Sequence, residues 1–227
     1  MGLLNTTLRA CSLMQRYWNR IKIAVVGSKG TILVFHEVDT ENKNNVEPSS
    51  FCSVELFKKI LEEHKGEFCN MDDFLSDSVS GKIVVTFDDV PESVYLNAYP
   101  ILCELQIPFV LYFSPKFIGC RGFMSVDQIR EVSKNPLCTI GAHTMKHTKL
   151  RLEADSYKDM RDSMIEVEKV IGKHVEHLAY PYGRADSISN KVRKEAKRAG
   201  FKSATCTIPT KVPKVYNKWY IPRIAIW

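Results

Sequence analysis

Residues 81–91, GKIVVTFDDVP, set the tightest limit on how this chain can fold. Ile83, Val84, Val85 and Phe87 suit a short buried strand, and Pro91 stops it. Asp88 and Asp89 then stand as adjacent carboxylates at the mouth of that strand. Two acids there each face desolvation and repel one another, so they either protrude into water or hold a cation. A second run, LCTIGAHTMKHTKL over 137–150, offers partners. His143 and His147 are four apart, the spacing of one helical turn, so both imidazoles can converge on one point. One Asp with two His makes a three-ligand set that leaves a coordination position open, which separates catalytic from closed structural metal sites.

Around these runs the chain alternates. Strand patterns at 31–38, 83–87, 109–113, 138–142, 175–180 and 201–207 are separated by helical periods at 51–64, 93–105, 126–132, 154–171 and 188–199, with a last, edge strand at 220–226. Such an order implies an α/β fold with a mostly parallel sheet and outer helices, either open and doubly wound or a small barrel. His36 and Glu37, Asp88 and Asp89, Ser114, His143, and Tyr182 with Gly183 all fall at or just past strand C-termini. That is the face on which barrels place their chemistry, and it favours the barrel.

With 227 residues and no Pro/Gly/Ser-rich linker or fixed repeat, a single domain over 31–227 is expected, preceded by a basic helical segment, 1–30. That segment carries Arg9, Arg16, Arg20, Lys22 and Lys29 with no acid before Glu37, while Leu4, Leu8, Cys11, Met14, Trp18 and Ile21 recur at near-helical intervals. It reads first as a peripheral helix packed on the domain, and second as a peripheral contact with an anionic membrane surface. Met1-Gly2 with Thr6 matches a myristoylation pattern too short to carry weight. No signal-like apolar core and no run of ~20 apolar residues occurs, so the expectation is a cytoplasmic chain, membrane-peripheral at most. Seven cysteines without a CxxC pair read as buried free thiols of a reducing compartment. The Lys/Arg-rich stretch 191–218 lacks any nucleic-acid-binding motif and reads as a solvated basic face, so no nucleic-acid partner is expected.

Thr144 follows His143 where a zinc protease of the HExxH type needs its glutamate, which excludes that class. The spare aspartate is then the obvious base. YPYG at 180–183 is a turn signal whose Gly183 permits close backbone approach, and His36, among apolar neighbours, suits a core position or the site equally.

TFDD at 86–89, HTMKH at 143–147 and YPYG at 180–183 resemble, in this order, the first three motifs of the polysaccharide deacetylases of carbohydrate esterase family 4. The resemblance covers roughly residue 31 to the C-terminus. It implies a distorted (β/α) barrel with fewer than eight strands and a divalent metal, zinc being the expected ion, held by Asp89, His143 and His147. It also implies Asp88 as general base and the Tyr182 backbone N–H as an oxyanion donor. The activity implied is removal of an N-acetyl group from an acetamido sugar or polysaccharide precursor. Hydrolysis of another C–N bond, such as a cyclic imide or amide, and a non-catalytic metal-stabilised carbohydrate-binding module are the alternatives. Three departures stand out. Val90 replaces the usual glycine after TFDD. Ala179 stands where many members have an arginine that pairs with the base, leaving Arg184 as a substitute. The later motifs, with an aspartate–tryptophan pair and a histidine acid, are not evident in 201–227, so the proton donor falls to His36 as a guess.

Overall fold

The computed structural model describes residues 28–41, 50–76 and 79–227. The expected amphipathic segment and the myristoylation pattern therefore lie almost wholly outside the described residues. Only 28–30 of that segment are described, and they open the first strand.

Strands β1 (Ser28–Phe35), β4 (Lys82–Asp88), β5 (Phe109–Phe113), β6 (Cys138–Ala142), β7 (His177–Ala179) and β8 (Ser203–Thr205) run parallel, each hydrogen-bonded to the next in that order. A separate parallel pair, β2 (Glu37–Asp39) and β3 (Phe51–Ser53), lies beyond the end of β1. The last strand, β10 (Ile224–Ala225), stands at the edge of the sheet, as its sequence suggests. It pairs with β1, while just upstream Ile221 donates to Ala204 O at 3.0 Å and accepts from the Cys206 N–H at 2.8 Å. One extended segment thus bonds β8 at its start and β1 at its end, drawing the sheet round on itself. The short β9 (Val212–Pro213) pairs antiparallel with the start of β1.

Alternation along the strands sorts side chains into two sets. Leu33, Phe35, Val85, Phe87 and Leu111 face outward into the main core with the helices α1 (Val54–Glu63), α3 (Tyr99–Glu104), α4 (Val126–Ser133), α5 (Ser156–Ile171) and α6 (Asn190–Arg198). Phe35, Phe57 and Phe87 pack there with ring centroids 5.1–5.9 Å apart. Burying each such ring contributes about 1.5–3 kcal/mol. Ile32, Val84, Val110, Tyr112, Ala179 and Ile221 form a second cluster, which fills the bore of the barrel. The short helix α2 (Met71–Leu75), not foreseen from the sequence, adds Met71, Phe74 and Leu75 to that cluster and plugs the floor. Gly141 is required where the Tyr112 ring crosses the bore, because a Cβ there would lie 2.4 Å from it.

Helix boundaries follow local chemistry. Ser125 and Gln128 form a reciprocal capping box on α4, and Gly172 ends α5 in the left-handed conformation. The helix expected over 93–105 is interrupted, with a π-helical turn at Val94–Ala98 before α3 starts at Tyr99, where Pro100 sits in the first turn.

Candidate active site

Asp88 is the last residue of β4, and by alternation its side chain enters the bore, where it is 2% exposed. Arg223, fully buried on the closing segment, meets it with two hydrogen bonds, Nη1 to Oδ1 at 2.7 Å and Nη2 to Oδ2 at 2.6 Å. The guanidinium also donates to Thr86 Oγ1 at 3.1 Å and to the Cys206 carbonyl at 3.3 Å, and Thr86 in turn donates to Leu33 O at 2.8 Å. Burial alone would raise the Asp88 pKa. The Arg223 charge and its paired hydrogen bonds outweigh burial, and the carboxyl is held below its ordinary range. The arginine missing at Ala179 is therefore supplied by Arg223 and not by Arg184, which is exposed on the cleft wall.

Asp89 follows at φ 59°, a left-handed turn that takes its side chain off the strand line. Its Oδ1 lies 3.6 Å from His143 Nε2 and 3.0 Å from His147 Nε2. Despite these neighbours that oxygen is buried without a hydrogen bond. Burial raises the Asp89 pKa, but the two imidazoles outweigh it and the carboxyl is held well below the usual carboxylate range.

His143, 1% exposed, follows β6 and is fixed at both ends: its N–H donates to Phe113 O at 2.7 Å, and its ring Nδ1 lies 2.8 Å from Ala179 O. A carbonyl only accepts, so Nδ1 carries the proton and Nε2 presents a lone pair. Burial lowers the His143 pKa and keeps the ring neutral, as a ligand requires. The two histidines do not share a helical turn. The segment between them is a loop, with Thr144 at φ 64° and His147 at φ 53°. It is pinned by Ser114 Oγ donating to Thr144 O at 2.9 Å and by the Met145 N–H donating to Asp159 Oδ1 of α5 at 2.9 Å. The His147 ring sits between Phe117 and Tyr182, at 5.2 and 5.3 Å.

One ligand atom from each of Asp89, His143 and His147 lies within 4.8 Å of the others. A tetrahedral ion with bonds of about 2.1 Å sets its ligand atoms roughly 3.4 Å apart, close to the 3.0 and 3.6 Å found. Convergent lone pairs and an orphaned buried carboxylate oxygen fit a divalent metal ion.

Tyr182 takes φ 62° and Gly183 φ 63°. A Cβ on Gly183 would lie 2.5 Å from the Thr207 nitrogen, so only glycine fits. The turn is tied to β8 by Thr207 Oγ1 donating to Tyr182 O at 2.7 Å, while the Tyr182 N–H has no acceptor among the described residues. His36 lies across the same cleft, with its Nδ1 buried and without a hydrogen bond. The cleft, about 520 Å³, brings together all the expected residues: His36, Asp88, Asp89, His143, His147 and Tyr182. The sequence reading missed Arg223 and Asp159. An arginine inside the apolar run YIPRIAI was a signal for the first; nothing marked the second.

A curled, mostly parallel sheet with an Asp–His–His metal cradle and a separate arginine-paired aspartate at its C-terminal rim defines a metallo-barrel class. Residues 76–204 match the profile described as polysaccharide deacetylase. The chain is 31% identical over 188 residues to the poly-beta-1,6-N-acetyl-D-glucosamine N-deacetylase of Staphylococcus aureus, covering 74% of this chain and 64% of that relative. The Staphylococcus epidermidis enzyme of the same name is 25% identical over 186 residues, covering 73% and 63%. The chain thus spans less than two thirds of the length of these relatives. In fold it is similar to a polysaccharide deacetylase from Bacillus cereus (TM-score 0.77, 23% identity, 87% of this chain and 65% of that one) and to a Streptococcus pyogenes deacetylase solved with acetate (TM-score 0.77, 21% identity, 88% and 93%). The chain belongs to the polysaccharide deacetylase family.

Proposed function

We propose that this protein hydrolyses the N-acetyl group of an acetamido sugar within a polysaccharide or its precursor, with zinc in the Asp89–His143–His147 cradle. The observation that carries the reading is the division between two adjacent carboxylates. Asp89 completes the cradle, while Asp88, ionised by Arg223, stands beside it with its Oδ2 4.0 Å from His143 Nε2. The names of the staphylococcal relatives favour a β-1,6-linked N-acetylglucosamine polymer as substrate.

When bound, the ion supplies Lewis-acid activation of water and of the acetamide carbonyl. Asp88 accepts the proton of the attacking water. Because its oxygens are held by Arg223, it is a weak base, and the proton it takes is passed on quickly. The unpaired Tyr182 N–H donates to the oxygen that becomes negative as the carbonyl carbon turns tetrahedral. His36, facing the cleft, delivers a proton to the amine nitrogen as the C–N bond breaks. Acetate leaves with one oxygen from water, and the sugar keeps a free amine.

The test is acetate release from β-1,6 and β-1,4 N-acetylglucosamine oligomers, with a cyclic imide as control. It is run before and after chelation and zinc add-back, with Asp88→Asn and His36→Gln alongside. The expectation is turnover of an acetamido sugar that chelation abolishes, zinc restores and Asp88→Asn lacks. Sugar binding without turnover in the zinc-loaded wild type refutes the catalytic reading, and turnover confined to the imide refutes the substrate class.

A further inference from the structure

The opposite end of the bore holds a second group of ligating side chains. His177 opens β7, points inward and is 1% exposed. Asp72 lies on α2, the helix that plugs the floor, and Glu176 immediately precedes His177. One ligand atom from each lies within 4.8 Å of the others. His177 Nε2 and Asp72 Oδ1 are 3.7 Å apart, too far for a hydrogen bond but close to the roughly 3.4 Å between two ligand atoms of one tetrahedral ion.

Three features suit these side chains to holding an ion. His177 Nε2 is buried with no hydrogen bond, while Nδ1 is engaged with Ser203 Oγ at 2.9 Å, an arrangement that orients the ring and directs Nε2 to the carboxylates. A cavity of about 170 Å³ opens beside it, lined by Asp72, Glu176 and His177. Lys202 already brings a positive charge, paired with Asp72 and 3.9 Å from Glu176 Oε2, yet it gives the imidazole no hydrogen bond. Burial, outweighing Asp72 and Glu176, lowers the His177 pKa and keeps the ring neutral.

We propose that Asp72, Glu176 and His177 form a second metal site at the floor of the barrel, taking a borderline divalent ion such as zinc in exchange for the Lys202 ammonium. An imidazole beside two carboxylates favours zinc and its neighbours over magnesium or calcium. The ion joins the plug helix α2 to β7, so its binding adds to stability by mass action. The proposal is independent of the deacetylase reading, since no ligand is shared with the cleft.

The experiment is equilibrium dialysis of the full chain against zinc, with thermal melting in parallel. In an Asp89→Asn/His147→Gln background, which disables the cleft cradle, one zinc per chain is expected to remain and to raise the melting temperature. Adding His177→Gln removes both effects. Adding Asp72→Asn, at a half-exposed position that is safe for folding, weakens the affinity at least tenfold. Adding Lys202→Met, which removes the competing charge, tightens it about tenfold. No zinc retained in the cleft-disabled background overturns the proposal. So does zinc retained undiminished after both His177→Gln and Asp72→Asn.

Discussion

Replacing Arg223 with methionine tests the argument that a buried ion pair prepares the base. Methionine keeps much of the length and apolar packing of the side chain and removes only the guanidinium. In the wild type both Asp88 oxygens accept from Arg223, at 2.6 and 2.7 Å, with both side chains sealed from water. Breaking one side of such a pair leaves an uncompensated buried charge, at a cost of about 3–5 kcal/mol. The variant loses the lowering that the Arg223 charge and hydrogen bonds supply and is left with the full upward push of burial. Asp88 then takes up a proton at a higher pH than in the wild type, which narrows the range over which it can serve as the proposed base.

Two assays read this. In urea unfolding, Arg223→Met is expected to lose about 3–5 kcal/mol, and most of the loss is recovered in Arg223→Met/Asp88→Leu, where no charge is left behind. In the wild type the folded Asp88 pKa is depressed, so the pair's contribution is present above the unfolded value of about 3.9 and fades as pH falls through the folded one. The stability gap between wild type and variant should therefore narrow in acid. In kinetics, the acid limb of kcat/KM moves up by at least 1 pH unit, and Arg223→Lys, which keeps the charge but not the fork, restores the limb but not the full rate. An unmoved acid limb refutes the role of Arg223. A double variant as unstable as Arg223→Met shows that the arginine is held there by packing alone.

Tyr182→Ala removes a side chain that is 53% exposed but leaves the backbone N–H, so KM is expected to rise several-fold with kcat within about threefold; a hundredfold loss in kcat refutes the backbone role. Val90→Gly sets relief of a left-handed β-branched residue, about 1–2 kcal/mol, against loss of a fully buried side chain, about 1.5–3 kcal/mol, and greater unfolded-state freedom. A net destabilisation of about 1 kcal/mol in denaturant unfolding is expected, and a more stable variant contradicts it. His143 and His177 both have folded pKa values lowered by burial, so the metal-free protein should lose stability as pH falls below the unfolded histidine value of about 6.5. Denaturation midpoints that stay flat between pH 7 and 5 would show that neither ring is held neutral.

What the sequence discloses here depends on how far apart the cooperating residues lie. The alternating runs announce the parallel strands, because burial on both faces demands apolar residues at successive positions. The carboxylate pair and the two histidines are legible because each sits at the end of such a run. The curling of the sheet is not legible: β10 reads as the edge strand it is, and the bonds its upstream neighbour makes to β8 are isolated and leave no periodic pattern. Arg223 lies 135 residues from the carboxylate it holds, and no local spacing links them. The convergence of His143 and His147 was legible as a fact but not as a geometry, since helical spacing suggests a turn that the left-handed loop replaces.

That loop belongs to a wider pattern. Of the six non-glycine residues at positive φ among the described residues, five are Asp89, Val90, Thr144, His147 and Tyr182, all at the C-terminal rim around the cleft. Such conformations persist only where surrounding bonds over-determine them. Here the bonds are visible: Arg223 on Asp88, Phe113 and Ala179 on His143, Ser114 and Asp159 on the histidine loop, Thr207 on the tyrosine turn. The rim is thus held largely by residues buried behind the cleft, with Thr207 lining it. Asp159, the least conspicuous of these in the sequence, shows how far that reasoning extends. It is 4% exposed, its pKa is raised by burial, and its Oδ1 bond to the Met145 N–H anchors the loop that presents His147. A site built this way is positioned by the barrel wall and the helix behind it as much as by its own ligands.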